Sequence, residues 1–320
     1  MAQGISSGMP RRVIFDTDPG VDDAMALFFM LRSPELQLDA ITTVFGNVDC
    51  EQTTRNALIL LDVAGRADIP VAAGAGRALM RPPRLSGAVV HGDNGLGGAH
   101  LPEPTGSIVP QRAAELIVER VMAAPGQLTI IAVGPLTNIA LATCLEPKIV
   151  ENVHELIVMG GAVTVPGNVT PLAEANIHND AEAAAIVFSA GYRLALIGLD
   201  VTLKALITPA QVEELRQRGG PMGEFTHAIS AHYGQHYIRR TGWPGFPMHD
   251  SAAILYAIDP GYFTVEHWYC EIETGSPRAY GMVMADRRGR WGQPPNTQVC
   301  VDIDAARFLD LYMSRLTVSP

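Results

Sequence analysis

Short apolar runs alternate with amphipathic segments along most of the chain. The runs are rich in β-branched residues, which is typical of buried strands, and the intervening segments carry apolar residues at helical spacing. Strands are predicted at residues 13–15, 38–44, 70–73, 128–133, 155–159 and 193–199, and helices at 24–31, 53–64, 111–123, 137–143 and 180–190. This order favours an α/β fold with a mostly parallel central sheet flanked by helices on both faces.

Three stretches depart from this alternation. Residues 74–110 are rich in Gly and Pro and predict a long irregular loop, a type of segment that is usually functional or disordered. Residues 208–248 predict a polar helix, a linker at Gly219-Gly220-Pro221 and a mobile segment rich in His and Tyr. Residues 265–304 predict further β structure before a last helix.

Composition narrows the class of protein. A chain of 320 residues that is 48% hydrophobic suits one large α/β domain, which we expect at 11–320 after a disordered tail at 1–10. The 23 basic and 33 acidic residues give a net charge of −10, and the absence of a Lys/Arg run argues against nucleic-acid binding. No stretch reaches the ~18 apolar residues of a membrane helix.

The cysteines indicate a reducing compartment. Cys50, Cys144, Cys270 and Cys300 are scattered without a CxxC pair, which argues against a disulfide framework or a zinc site. The N-terminal residues lack the apolar core of a signal peptide. We therefore expect a cytoplasmic protein.

Four aspartates lie within eight positions in DTDPGVDD, directly after the first predicted strand: Asp16, Asp18, Asp22 and Asp23. Like charges this close repel by ~4 kcal/mol per pair at about 4 Å in a protein-like effective dielectric. Helix capping explains one or two of them. A hard divalent cation such as calcium, which takes roughly six to eight oxygen ligands, explains the set better.

Other polar motifs follow later strands, at the edge of an α/β sheet where ligands bind. Asn47 follows the second predicted strand, and the turn at Gly134-Pro135 could leave the carbonyl of Val133 free as an oxygen ligand. The hydrogen-bond donors and acceptors of Asn168, Glu174 and Asn176 suit a polyhydroxylated ligand. Each motif is also typical of an ordinary turn or polar loop.

The pair His249-Asp250 precedes an apolar helix. Asp250 could add a carboxylate to a metal site, and His249 is available for proton transfer, although such a pair is also a common helix cap. His91, Tyr233 and Tyr237 could complete a pocket wall, and a structural role fits these three equally well.

The chain resembles the nucleoside hydrolases, and more specifically their inosine–uridine-preferring, non-specific branch. The resemblance rests on DTDPGVDDA at 16–24, ITTVFGN at 41–47, GPLTNIA at 134–140, the E-x-N of 174–176 and HD at 249–250. It implies a Rossmann-like nucleoside hydrolase fold and calcium-dependent hydrolysis of the N-glycosidic bond of purine and pyrimidine ribonucleosides, giving ribose and free base. It further implies a role in base and ribose salvage and a homodimer or homotetramer.

The resemblance also implies a role for each matched position. Calcium would be held by Asp18, Asp23, Asp250 and the carbonyl of Val133, and Asp18 would also take a proton from the attacking water. The sugar would be held by Asp22, Asn47, Asn168, Glu174 and Asn176. The base side would be formed by His91, Tyr233, Tyr237 and His249, with His249 giving the departing base a proton or a stabilising contact. A lid made of residues 220–248 and 80–98 would exclude water.

Two other functions are compatible with parts of the sequence. A phosphatase of the haloacid dehalogenase type would use Asp16 as nucleophile with magnesium, but Pro19 interrupts that pattern and His249 is left unexplained. A non-catalytic protein that binds ribose or nucleosides would use the same pocket. The retained carboxylates Asp18, Asp23 and Asp250 argue against this second alternative.

Overall fold

A computed structural model describes residues 9–82 and 87–317 of the chain. The strands are β1 (Arg11–Thr17), β2 (Leu36–Thr43), β3 (Val71–Ala73), β4 (Leu128–Ala132), β5 (Glu155–Met159), β6 (Leu194–Ile197), β7 (Leu206–Ile207), β8 (Phe246–Pro247), β9 (Phe263–Ile272), β10 (Val283–Asp286) and β11 (Thr297–Ile303). The helices are α1 (Val21–Leu31), α2 (Cys50–Val63), α3 (Ala88–His91), α4 (Ala113–Ala123), α5 (Thr137–Leu145), α6 (Ile149–Asn152), α7 (Ala175–Asn179), α8 (Ala181–Ser189), α9 (Leu199–Thr202), α10 (Pro209–Arg218), α11 (Gly220–Thr241), α12 (His249–Ile258) and α13 (Ala305–Leu316).

Within the described residues, nine strands form one sheet in the order β10-β9-β11-β6-β5-β4-β1-β2-β3. All neighbours from β11 to β3 pair in parallel, whereas β9 is antiparallel to both β11 and β10. The prediction of a mostly parallel sheet is confirmed. The predicted β-rich segment at 265–304 supplies the antiparallel edge of that same sheet.

Helices cover both faces of the sheet, as β1 illustrates. Val13 and Phe15 pack into the core formed with α1, α12 and α13, whereas Ile14 packs into the core formed with α4, α5 and α8. Successive strand side chains point to opposite faces, so a strand buried on both sides reads as a continuous apolar run. Burying each of these side chains contributes about 1.5–3 kcal/mol.

The linker predicted at Gly219-Gly220-Pro221 is wrong, and most of the His- and Tyr-rich segment that follows it is helical. Gly219 ends α10, and the 22-residue helix α11 begins at Gly220. One face of α11 is buried through residues three or four apart: Met222, Thr226, Ile229, Ser230 and Tyr233. This helical period escaped sequence reasoning because several of the buried residues are polar and glycines interrupt the pattern.

Smaller differences concern the ends of elements. The strand predicted at 193–199 ends at Ile197, and the short helix α9 follows it. The helix predicted at 180–190 is preceded by α7 and begins after Asp180, whose carboxylate caps it. The predicted irregular loop at 74–110 contains α3, and residues 83–86 lie outside the described part of the chain, as do residues 1–8 of the predicted tail.

Because β1, β2, β4, β5 and β6 are parallel, their carboxyl ends lie along one edge of the sheet. Residues that follow these strands are therefore brought together, as the sequence motifs predicted. In the part of the chain that the structure describes, no helix combines the length and hydropathy needed to span a membrane.

Candidate active site

A cavity of about 350 Å³ lies at this edge of the sheet. Most of the predicted site residues line it: Asp22, Asn47, His91, Val133, Asn168, Glu174, Asn176, Tyr233, Tyr237, His249 and Asp250. The other two, Asp18 and Asp23, contact the lining residue Asn47, whose backbone N–H donates to Asp18 and whose side-chain amide donates to Asp23. The fold therefore gathers all the predicted residues into one site.

An acidic cluster forms the floor of the cavity. Asp22, Asp23 and Asp250 each offer a carboxylate oxygen within 4.8 Å of the others, and all three side chains are buried. Burial raises the pKa of Asp22 and of Asp23 to about 6, and the charge of Asp22 adds to the shift of Asp23. Burial and the neighbouring carboxylates also raise the pKa of Asp250 well above its usual range. A cation among these groups would remove the repulsion.

Two carboxylate oxygens at this floor have no hydrogen-bond partner among the described residues. They are Oδ1 of Asp18 and Oδ1 of Asp22, both buried. The backbone of Gly134 lies so close that a Cβ there would come within 2.7 Å of Asp18 Oδ1. An unpaired buried polar atom costs about 1–3 kcal/mol, so these oxygens indicate a ligand that the protein itself does not supply. An all-oxygen donor set fits a hard divalent cation.

The carbonyl of Val133, a predicted metal ligand, already accepts one hydrogen bond. The side-chain amide of Asn176 donates to this carbonyl at 2.7 Å. The same amide donates to the carbonyl of Met159 at 3.2 Å. A carbonyl oxygen has a second lone pair, so a metal contact at Val133 would be shared with this hydrogen bond.

The residues behind the floor hold it in place. Asp23 accepts hydrogen bonds from the Thr17 hydroxyl and from the backbone of Gly20. Asp16 is fully buried and accepts from the Thr42 hydroxyl and from the side-chain amide of Asn138. Asp16 thus ties β1 to β2 and α5, a supporting position rather than that of a nucleophile.

The side chains on the predicted sugar side are fixed by backbone contacts. Glu174 caps α7 by accepting from the backbone N–H of Asn176 at 2.9 Å, and it accepts from Gly161 at 2.8 Å. Asn168 accepts from the backbone of Ala175 at 3.0 Å. Burial raises the pKa of Glu174. These contacts orient the side chains before any ligand arrives.

On the predicted base side, His91 lies between α1 and α11. Its Nδ1 accepts from the backbone N–H of Val21 at 3.2 Å and lies 3.6 Å from Asp22 Oδ1. Its ring packs on Tyr233 with centroids 5.1 Å apart, and the Tyr233 hydroxyl donates to Asp22 at 3.3 Å. Burial lowers the pKa of His91 to about 4, so the ring is neutral at pH 7.

His249 is held from both of its ring nitrogens. Nε2 lies 3.1 Å from the Tyr237 hydroxyl, and Nδ1 lies 2.8 Å from the Thr202 hydroxyl. Burial lowers the pKa of His249 to about 3, which keeps the ring neutral at pH 7. A neutral imidazole offers a hydrogen bond from N–H to a departing base, whereas only the protonated ring is an efficient proton donor. The stabilising contact is therefore the role that this geometry favours.

Several contributing residues were missed from the sequence. His236 and Arg240 also line the cavity and come from α11, the helix that was not recognised. Thr202 contacts His249 but was assigned no role. Its position just beyond the end of β6 is the signal that could have found it, since ligand sites lie there in parallel sheets.

Comparison with known proteins identifies the family. The model of the family described as inosine-uridine preferring nucleoside hydrolase matches residues 13–310. The chain belongs to this family. It is therefore a nucleoside hydrolase acting on ribonucleosides, and neither the phosphatase nor the non-catalytic binding protein describes it.

Individual relatives match over almost their whole length. The chain is 40% identical over 307 residues to a pyrimidine-specific ribonucleoside hydrolase RihA of Citrobacter koseri, covering 95% of this chain and 97% of the relative. It is 39% identical over 312 residues to an inosine-uridine preferring nucleoside hydrolase of Leishmania major, covering 96% and 98%. The solved structure of a plant nucleoside hydrolase superposes with a TM-score of 0.92 at 34% identity, covering 97% of this chain and 100% of that one.

Proposed function

We propose that this nucleoside hydrolase cleaves both purine and pyrimidine ribonucleosides with a calcium ion at the acidic floor. The observation that carries the metal is the pair of buried, unpaired oxygens on Asp18 and Asp22 beside a carboxylate cluster. We assign the ion to Asp18, Asp23, Asp250 and the Val133 carbonyl. Asp22 lines the cavity beside them, where it can accept from ribose hydroxyls.

The chain's own residues then serve the reaction as follows. Cleavage of the ribosyl C–N bond develops oxocarbenium character on the sugar, which nearby carboxylates stabilise. Asp18 Oδ1 has no partner among the described residues and is free to take a proton from the attacking water. Calcium bound at this site would orient the ribose diol and lower the pKa of a coordinated water.

The sugar is positioned by groups that are already oriented. Asn168, Glu174 and Asn176 line the cavity with their side chains anchored to α7 and its neighbouring loops. Amides donate and accept, and a carboxylate accepts, which matches the mixed requirements of ribose hydroxyls. Such anchoring contributes to rate because the reacting groups lose less freedom on binding.

The base end of the cavity supports a broad base range. Tyr237, His249 and Trp243 line it, and aromatic faces pack against purines and pyrimidines alike. The named relatives include a pyrimidine-specific enzyme and an inosine-uridine preferring one, so family membership leaves base preference open. Cytoplasmic location, salvage and a homodimer or homotetramer stay predictions of the sequence.

The first test is release of reducing sugar from the common ribonucleosides. We expect steady release of ribose from both uridine and inosine, measured under initial-rate conditions with base release followed by chromatography. Turnover of uridine and cytidine without turnover of inosine, adenosine or guanosine would contradict the broad base range while leaving nucleoside hydrolysis intact.

A second prediction concerns the ribose hydroxyls. We expect 2′-deoxyuridine and 2′-deoxyinosine to be cleaved at least ~100-fold more slowly than their ribonucleoside counterparts, because a buried polar site left unpaired loses about 1–3 kcal/mol per missing contact. The measurement compares kcat/KM for each matched pair. Equal values for the two sugars would show that the metal and Asp22 do not hold the diol.

A further inference from the structure

A chain of contacting polar groups runs along the proposed base side of the cavity, from Asp22 to Thr202 beyond the end of β6. The Tyr233 hydroxyl lies 3.3 Å from Asp22 Oδ2, and the rings of Tyr233 and Tyr237 pack with centroids 4.9 Å apart. Tyr237 in turn lies 3.1 Å from His249 Nε2, and His249 Nδ1 lies 2.8 Å from the Thr202 hydroxyl. The chain thus joins both halves of the site.

The proposed role of His249 decides which of its ring nitrogens must carry the proton. To stabilise a departing base, the neutral ring has to offer an N–H to the cavity. Nε2 is the ring nitrogen beside Tyr237 and the cavity, whereas Nδ1 faces Thr202. The proton is therefore needed on Nε2.

The Thr202 hydroxyl contacts the other ring nitrogen of His249, Nδ1. The side chain of Thr202 is fully buried, as is nearly all of His249, so no bulk water competes for Nδ1. With the ring proton on Nε2, Nδ1 is an acceptor, and the Thr202 hydroxyl is the donor that satisfies it. Thr202 ends α9, which follows β6, and His249 begins α12, which follows β8; the two helices pack against each other.

We propose that Thr202 is a positioning residue for glycosidic cleavage: its hydroxyl donates to Nδ1 of His249 and keeps the ring in the tautomer and orientation that present Nε2–H to the departing base. The proposal rests on the proposed role of His249 in stabilising the base. His249 keeps its proton throughout, and only a hydrogen bond to the base is involved.

The test removes the hydroxyl without changing shape. Thr202→Val is expected to lower kcat for uridine and inosine by ~10-fold, a part of the ~10²–10⁴-fold that acid–base assistance provides, while KM changes little. Cleavage of p-nitrophenyl β-D-ribofuranoside should change by less than about twofold, because its leaving group is stable without a hydrogen bond. Thr202→Ser, which keeps the hydroxyl, should restore most of the turnover of the natural substrates.

The chain offers a matched control. Thr129 in β4 is also fully buried, but its hydroxyl has no partner among the described residues. Thr129→Val should leave kcat unchanged on all three substrates. An equal loss on nucleosides and on the p-nitrophenyl riboside in Thr202→Val, or no loss on either, would overturn the proposal.

A measurement on the unmodified protein is independent of folding in the variants. ¹⁵N NMR of histidine-labelled protein, with the His249 signals identified by their absence from His249→Asn, reports which ring nitrogen carries the proton. We expect protonated Nε2 and unprotonated Nδ1. The reverse pattern would overturn the proposal even if the enzyme hydrolyses nucleosides, and absence of ribose release from every nucleoside would instead refute the proposed function.

Discussion

Replacing Asp18 by Asn is expected to lower kcat for uridine and inosine by ~10³-fold, within the range that a positioned general base contributes. Asp18 Oδ1 is buried, unpaired among the described residues and adjacent to the acidic cluster, so it is the oxygen placed to accept the proton of the attacking water. Asn has the same shape and still accepts from the backbone N–H of Asn47, which lies 2.7 Å from Asp18 Oδ2. The folded state should therefore be retained.

The control for this substitution is Asp39→Asn. Asp39 also lies in the central sheet, in β2, but it pairs with Arg12 far along the strand from the cavity. Loss of that partly exposed ion pair should change the melting temperature slightly and turnover not at all. A nearly wild-type rate for Asp18→Asn, with circular dichroism and melting temperature unchanged, would reject Asp18 as the base.

Removing divalent cations is expected to abolish turnover, and adding calcium back should restore it. Asp18, Asp22, Asp23 and Asp250 form a buried, mutually repelling group that the described residues do not neutralise. Without a cation these carboxyl groups hold protons or repel one another, and neither state orients a ribose diol or a water. The measurement is turnover after dialysis against EDTA and again after titration with calcium. Full activity in EDTA would contradict the proposed metal requirement.

Removing the cation should also change how the stability of the folded protein depends on pH. The pKa of Asp22 and of Asp23 rises from 3.8 to about 6 in the folded protein, chiefly because of burial. The folded state then binds more protons than the unfolded state between these values, so the stability of the metal-free protein falls as the pH rises through that interval. Added calcium should raise the melting temperature more at pH 8 than at pH 5.

Much of the fold could be predicted because parallel sheets leave a clear pattern. Strands buried on both faces, such as β4 and β5, read as continuous apolar runs, and the helices between them are amphipathic. Helix α11 could not be recognised in this way. Its buried face includes Thr226 and Ser230, whose polarity hides the helical period even though both are almost inaccessible to water.

The sequence could predict those site residues that belong to motifs at the ends of strands. Aspartates crowded after β1 are costly unless something offsets their charge, so the stretch DTDPGVDD indicates a ligand by its sequence alone. The contacts of Val133 and Thr202 could not be predicted, because each depends on a residue far away in sequence: Asn176 donates to the first and His249 contacts the second. Such pairings arise from sheet order, which local patterns do not specify.

The metal content of the purified protein tests the central claim most directly. After exposure to calcium and desalting, elemental analysis should find about one calcium ion per chain in the wild type and in Asp39→Asn, as expected for a dedicated oxygen-ligand site. Asp250→Asn, which removes one carboxylate of the floor, should retain almost none. Wild-type protein that hydrolyses uridine at full rate while holding no divalent cation would contradict the account.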